Sequence, residues 1–213
     1  REALVVNLAP RGQGASPPRA GYLYVRPHRN LWGSAYAAET APYDGQRTTT
    51  LFGLPMNTPV HIRRYNPGEE LALFEVYYSA IHLVASRDYT PEQIQAWAPK
   101  DLDSDRWKKR IRGINPFVVD LNGALVGYAD LQSNGYIDHF FVSGNHPSMG
   151  IGSLLMKHLL GEAARLRLSE LTSDVSRTAQ PFYEKFGFVV VEQRRPKLRG
   201  IVIPNALMRR CAA

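Results

Sequence analysis

From residue 60 onward the apolar positions change period several times, and each change marks an element. Apolar and polar residues alternate in "VHIRRY", which predicts a strand over 60–65, and the following stretch has the spacing of a helix over 68–86. Thr90 followed by Pro91 and the pair Glu92 and Gln93 reads as the capped start of a second helix, and a short helix is expected around 103–112. Alternation returns in strands at 117–121, 124–132 and 135–143, the first two joined by the hairpin dipeptide Asn122-Gly123. Residues 150–166 form an amphipathic helix with Leu155, Leu159, Ala163 and Leu166 on one stripe and Lys157, Glu162 and Arg165 elsewhere. A strand near 169–175, a helix over 178–186, a strand over 188–193 and a last strand around 201–209 complete the pattern. A meander running into a strand-helix-strand unit predicts an α/β (α+β) fold, with a mixed, mostly antiparallel central sheet and helices on both faces.

The first 55 residues have another texture. They hold six prolines, six glycines and six arginines but no lysine, and the first methionine of the chain is Met56. We therefore expect residues 1–55 to be a non-catalytic N-terminal extension and residues 56–213 to be the working domain. Within the extension "GYLYVRPH" at 21–28 alternates like an edge strand, although its proline and glycine surroundings favour an extended surface segment.

Charge and composition narrow the function. The 213 residues are 44% hydrophobic and carry a net charge of +7, which suits an anionic ligand. The basic residues are scattered, however, and no recognition helix, zinc finger or aromatic RNA platform accompanies them, so nucleic acid is not the expected partner. The sole cysteine, Cys211, excludes an intrachain disulfide. No apolar run reaches bilayer length and no secretory leader is legible, so the expectation is a cytoplasmic protein without a membrane partner. No metal site is expected.

The candidate chemistry starts at "NHPSMGIGSLLMKHLL", residues 145–160, where Gly150 and Gly152 open the amphipathic helix. A helix start offers N–H groups and a positive dipole end, and glycine lets an anion approach the main chain. A Walker loop would need a lysine after the second glycine, and a dinucleotide fingerprint would need glycine where Leu155 stands. Neither fits.

The strand "GYIDHFFV", the glycines that follow it and "AQPFYEKFGFVVVEQ" one strand later resemble the GNAT superfamily of acyl-coenzyme A-dependent N-acetyltransferases. "VASRDYTPEQIQAWAP" with "ELTSDVSRTAQPFYEKFGF" is similar to its small bacterial YafP-like subgroup, and the resemblance spans about 56–210. It implies that acetyl-CoA is the cosubstrate. Its pyrophosphate would lie on the backbone of Met149, Gly150, Ile151, Gly152 and Ser153. Phe141, Val142, Ser176 and Phe182 would line the rest of the site. Pro147 stands where the family usually has Gln or Arg, and Ser176 where it often has Asn; the backbone N–H groups of the loop survive both changes.

Acetyl transfer to an amine needs a neutral amine, a polarised thioester carbonyl and a proton for the departing thiolate. Continuous alternation through 136–142 would put Asp138 on the same face as Val142, whose N–H the resemblance assigns to the acetyl carbonyl, and His139 on the opposite face. Asp138 is accordingly the candidate base, against an ion-pair role, with His146 a weaker candidate. The resemblance makes Tyr183 the acid facing the sulfur, while Phe182 packs. Among Tyr77, Tyr78, His82, Tyr89 and Trp97, one or two are expected to line the acceptor pocket.

The expected acceptor is a small-molecule primary amine, an aminoglycoside-type antibiotic being one candidate. The net charge of +4 on residues 56–213 speaks against a polycation. A peptide or protein N-acetyltransferase and a non-catalytic coenzyme A-binding module are the alternatives, and a homodimer is left open.

Overall fold

The computed structural model describes residues 5–6, 60–101 and 103–211. By internal contacts the chain separates into Arg1–Ala9 with Thr48–Ala213, and Pro10–Arg47; the second unit, with the expected strand at 21–28, lies outside the described residues.

In the first unit β1 (Val5–Val6) and β2 (Val60–Arg64) precede three helices, α1 (Glu70–Ser79), α2 (Pro91–Trp97) and α3 (Ser104–Ile114). The helix expected over 68–86 begins as α1 and continues as a π turn, Ala80–Val84, and a 3-10 turn, Ala85–Arg87. Thr90 caps α2 with a reciprocal capping box to Gln93, and the Asp103 carboxylate accepts the Arg106 N–H at the start of α3. Then come β3 (Phe117–Leu121), β4 (Ala124–Ala129), β5 (Tyr136–Ile137), β6 (Phe140–Val142), α4 (Ile151–Arg165), β7 (Glu170–Ser176), α5 (Gln180–Lys185) and β8 (Val189–Arg194). The chain closes with the small hairpin of β9 (Lys197–Leu198) and β10 (Ile201–Val202), and with β11 (Asn205–Cys211). The last strand thus starts later than 201, after Pro204, which has no N–H to donate to a ladder.

Among the described residues nine strands form one sheet in the order β2-β3-β4-β6-β1-β7-β11-β8, with β5 also paired to β7. All pairings are antiparallel except β5 with β7. One face is covered by α4 and α5 over a core that includes Ile137, Phe140, Val142, Leu155, Leu159 and Tyr183. The other is covered by α1, α2 and α3 over Leu73, Ile81, Trp97, Trp107, Val118, Tyr128 and Phe141. Leu166 departs from the expected buried stripe of α4: it lies past the last helical residue and is 44% exposed.

The strand expected over 135–143 is broken at Asp138 and His139. Continuous alternation would put Ile137 on the face of Phe141, yet Ile137 shares a core with Phe140 and Val142. The chain has slipped by one residue, as in a β-bulge. After Ile137 it also leaves β7. β5 pairs with β7 through Tyr136 with Thr172 and Ile137 with Ser173, whereas β6 is separated from β7 by β1. The sheet therefore branches at Asp138.

The loop after β6 presses on the end of α1. A Cβ on Gly144 would stand 2.6 Å from the Ser79 carbonyl oxygen and 2.9 Å from Leu83 Cβ, both too close. Gly144→Ala is expected to cost about 1–3 kcal/mol, the usual range for overpacking, in urea denaturation. A stability equal to the parent would mean that loop and helix are not in contact in solution.

Candidate active site

Asp138 and His139 sit at the branch, and their backbone N–H groups do not enter a strand ladder. Both are donated to Oδ1 of Asp130, at 2.9 Å and 2.5 Å. Asp130 follows β4 and is fully buried. Its own N–H bonds the His139 carbonyl, and Gln132 donates to its Oδ2 at 3.4 Å. Asp130 is thus the acceptor for the two donors freed by the slip. Burial, then the neighbouring Asp138 charge, pushes its pKa up to about 7 against the lowering effect of those hydrogen bonds.

The Asp138 carboxylate, whose side chain is 4% exposed, accepts a hydrogen bond from the Arg110 guanidinium of α3. Because α3 covers the face opposite to α4, Asp138 does not share the face of Val142, and the expectation from unbroken alternation is corrected: the slip turns the carboxylate toward α3. His139 points the same way, into a box formed by Tyr77, Trp107, Tyr128 and Phe141, with ring centroids 5.4 to 6.5 Å away. Its Nδ1 shares a 3.1 Å hydrogen bond with the Tyr128 hydroxyl. Burial, then the Arg110 charge, pushes its pKa down to about 3, so the ring is neutral.

On the other face Tyr183 of α5 is fully buried against Phe140, Phe182 and Phe188. Its hydroxyl lies beside Ser173, whose own Oγ donates to the Ile137 carbonyl at 2.8 Å, and the phenol oxygen makes no hydrogen bond of normal geometry. Burial raises its pKa far above the ordinary phenol value. Ser176 is buried, and its Oγ accepts the Ala179 N–H ahead of α5 at 3.3 Å. Phe182 packs, as expected, against Phe140 and Phe186.

Gly150 takes a left-handed backbone, φ 72°, as the N-cap of α4, with no side chain capping the helix. The first helical bond runs from the Leu154 N–H to the Gly150 carbonyl, so the N–H groups of Ile151 and Gly152 precede the ladder at the helix start. Met149, half-buried, packs on the core below. His146 is held at the Ser143 hydroxyl, 3.3 Å from Nδ1. Of the helical aromatics, Tyr77 enters the box around His139, while His82 and Tyr89 border a separate hollow of about 230 Å³ with Ile94 and Gln95. Asp130 and Arg110 were not singled out from the sequence. A signal for Asp130 existed, because the turn ending at Gly135 sets it across from Asp138 and His139.

The model of the acetyltransferase (GNAT) domain matches residues 85–203. An uncharacterised N-acetyltransferase of Escherichia coli K12, YafP, is 37% identical over 150 residues, which is 70% of this chain and 95% of YafP. The chain belongs to the GNAT acetyltransferase family. A GCN5-related N-acetyltransferase from Rhodopseudomonas palustris has the same fold at a TM-score of 0.68 and 26% identity, over 74% of this chain and 98% of its own. So does yncA from Salmonella typhimurium, solved with its cofactor acetyl-CoA, at a TM-score of 0.53 and 19% identity, over 74% and 95% of the two chains. This GNAT protein has a branched sheet and a glycine-started helix, with a buried carboxylate at the branch. Among its described residues no group of His, Cys, Asp or Glu could hold a metal ion, and no helix is long and apolar enough to cross a membrane.

The neutral His139 makes stability depend on pH. In the unfolded chain the ring binds a proton near pH 6.5, whereas in the fold it does so only near 3, so its contribution is complete above 6.5 and lost as pH falls toward 3. Asp130, raised to about 7, acts in the opposite sense, favouring the fold as pH falls from 7 toward the ordinary carboxyl range. His139→Gln should therefore gain thermal stability relative to the parent with each step from pH 6.5 to 4, by up to about 1.4 kcal/mol per unit. Parallel Tm curves for the two proteins would show that the ring titrates normally in the fold.

Proposed function

We propose that this GNAT protein transfers an acetyl group from acetyl-CoA to a primary amine of a small molecule. The observation that carries the reading is the branch itself: a buried carboxylate on one face, a buried phenol lacking a normal hydrogen bond on the other, and the glycine-started N-terminus of α4 beyond it, which no side chain caps. Bound acetyl-CoA supplies the activated thioester. The N–H groups at Met149 to Ser153 bind its pyrophosphate, and Phe141, Val142, Ser176 and Phe182 orient the rest. The Val142 N–H polarises the acetyl carbonyl. Asp138 takes a proton from the acceptor amine at its carboxylate, and Tyr183 holds at Oη the proton that the departing sulfur needs. The raised pKa of Tyr183 keeps that proton in place at any working pH.

Val5–Val6 of the extension pairs with Phe140 and Phe141 along the edge of β6 that faces the branch. Binding of acetyl-CoA at Phe141 and Val142 requires this short strand to withdraw, and residues 1–55 take no part in the chemistry. In titration calorimetry a 56–213 chain should bind acetyl-CoA at least as tightly as the full chain. Gly152→Asp, which adds bulk and negative charge where the pyrophosphate lies, should abolish binding while circular dichroism stays unchanged. Wild-type affinity in a folded Gly152→Asp protein would refute the phosphate site, and loss of binding on trimming would give the extension a part in the site.

Release of free thiol from acetyl-CoA, followed with a panel of amines that includes a peptide amine, identifies the acceptor. With that acceptor, Tyr183→Phe should lower kcat about 10²-fold or more, and Asp138→Asn should lower kcat while leaving acetyl-CoA affinity unchanged. Full activity in both would remove both proposed proton carriers, and binding without thiol release for any amine would identify a non-catalytic module.

A further inference from the structure

The branch leaves a gap in the sheet that another part of the chain fills. β6 keeps to β4 on one side and β7 keeps to β11 on the other, and both pair with β1 between them rather than with each other. Val5 stands opposite Phe141, and Val6 opposite both Phe140 and Val175, all in antiparallel pairing. Successive residues of a strand turn their N–H and C=O groups to opposite sides, so two residues suffice to engage both neighbours. Strands in a ladder lie about 4.8 Å apart, so the gap between β6 and β7 is about 10 Å, the width of one extended main chain. β6 is kept from crossing to β7 and closing the gap, because the Asp138 and His139 N–H groups are bound to Asp130 where the chain leaves β7. β1 also lies beside the π turn Ala80–Val84 that follows α1.

Resting on the acetyltransferase reading above, we infer that β1 is a built-in competitor of acetyl-CoA: the main chain of Val5 and Val6 occupies the slot that the coenzyme's amide-bearing arm enters, and the resting protein is held latent by it. Both occupants offer the slot the same chemistry. The arm of coenzyme A is an extended chain with amide N–H and C=O groups, as a strand is, and the slot takes one such chain. Phe141, assigned above to the coenzyme, is the residue opposite Val5. The exchange is one for one: ladder groups of β6 and β7 pass from β1 to the coenzyme, so neither edge is left without partners. Because β1 belongs to the same chain, its local concentration does not fall on dilution, and acetyl-CoA meets the competitor at every protein concentration. A two-residue ladder is short enough to be displaced. The acetyl-CoA concentration that fills the site is raised by about the ratio of seated to open molecules, and anything that draws the N-terminal segment away lowers it again.

In titration calorimetry on the full chain, Val5→Pro with Val6→Pro removes the N–H donors to both neighbours and should tighten acetyl-CoA binding about tenfold or more, tenfold corresponding to β1 seated in about nine molecules of ten. Val5→Ile with Val6→Ile keeps both donors and should leave the affinity within about twofold. A synthetic peptide of residues 1–9, added to the proline variant, should compete with acetyl-CoA and weaken its binding again. The same peptide carrying Val5→Pro and Val6→Pro should not. Hydrogen exchange on the unaltered chain needs no variant: the Val5 and Val6 amides should be protected without ligand and exchange faster with saturating acetyl-CoA. Equal affinity in the parent and a folded proline variant overturns the inference and leaves the acetyltransferase reading standing. So do Val5 and Val6 amides that are unprotected without ligand, or that stay protected with acetyl-CoA bound. Loss of binding in the folded proline variant alone makes β1 part of the site and likewise overturns it. If the proline variant does not fold, the exchange experiment decides. Absence of binding to the parent and the proline variant alike refutes the acetyltransferase reading, and the inference falls with it.

Discussion

The two hydrogen bonds from the Asp138 and His139 N–H groups to one oxygen of Asp130 hold the branch on which the rest of the structure depends. A one-residue slip frees two buried donors, and each would cost about 1–3 kcal/mol if unmet. Asp130 meets both from the neighbouring strand. With them satisfied, Ile137 keeps to β7 while Phe140 to Val142 keep to β4, and β6 and β7 diverge with β1 between them. Everything assigned to the site lies along that parting or at the helix start beyond it.

A carboxylate spent in this way is itself expensive to bury. The fold offsets the cost in two steps, backbone donors to Asp130 and Arg110 to Asp138, while the aromatic box holds His139 neutral. Stability and chemistry draw on the same atoms here. Asp130 and His139 respond to pH in opposite senses, Asp130 favouring the fold as pH falls and His139 as it rises.

The close contact of Gly144 with Ser79 and Leu83 connects the branch to the helices that cover the face of Tyr128 and Phe141. Ser79 and Ser143 approach there to 3.4 Å between hydroxyl oxygens, and the Gly144 N–H bonds Ser79 at 3.3 Å. The π turn that follows α1 begins at this contact, a local widening of the helix of the kind that accompanies functional sites. The loop leading into Gly150 is thereby tied to the same helix that supplies Tyr77 to the His139 box.

Local sequence determined much of this protein. Capping at Thr90, the Asn122-Gly123 turn, the period of α4 and the glycines at its start are short-range signals, and each appears where the sequence places it because neighbours along the chain suffice to decide it. The order of elements, with "FYEKFGF" one strand after the glycines, also carried the family. What alternation along the chain could not reveal was the slip at Asp138, since whether a strand stays in register is decided by what pairs on either side. The face of Asp138, its ion pair with Arg110 some 28 residues earlier, and the carboxylate of Asp130 behind it depend on that one event. Those groups are brought together by the branching of the sheet and the packing of α3 over it. Only the tertiary structure decided them, because the energy of a buried charge belongs to its surroundings and not to its residue type.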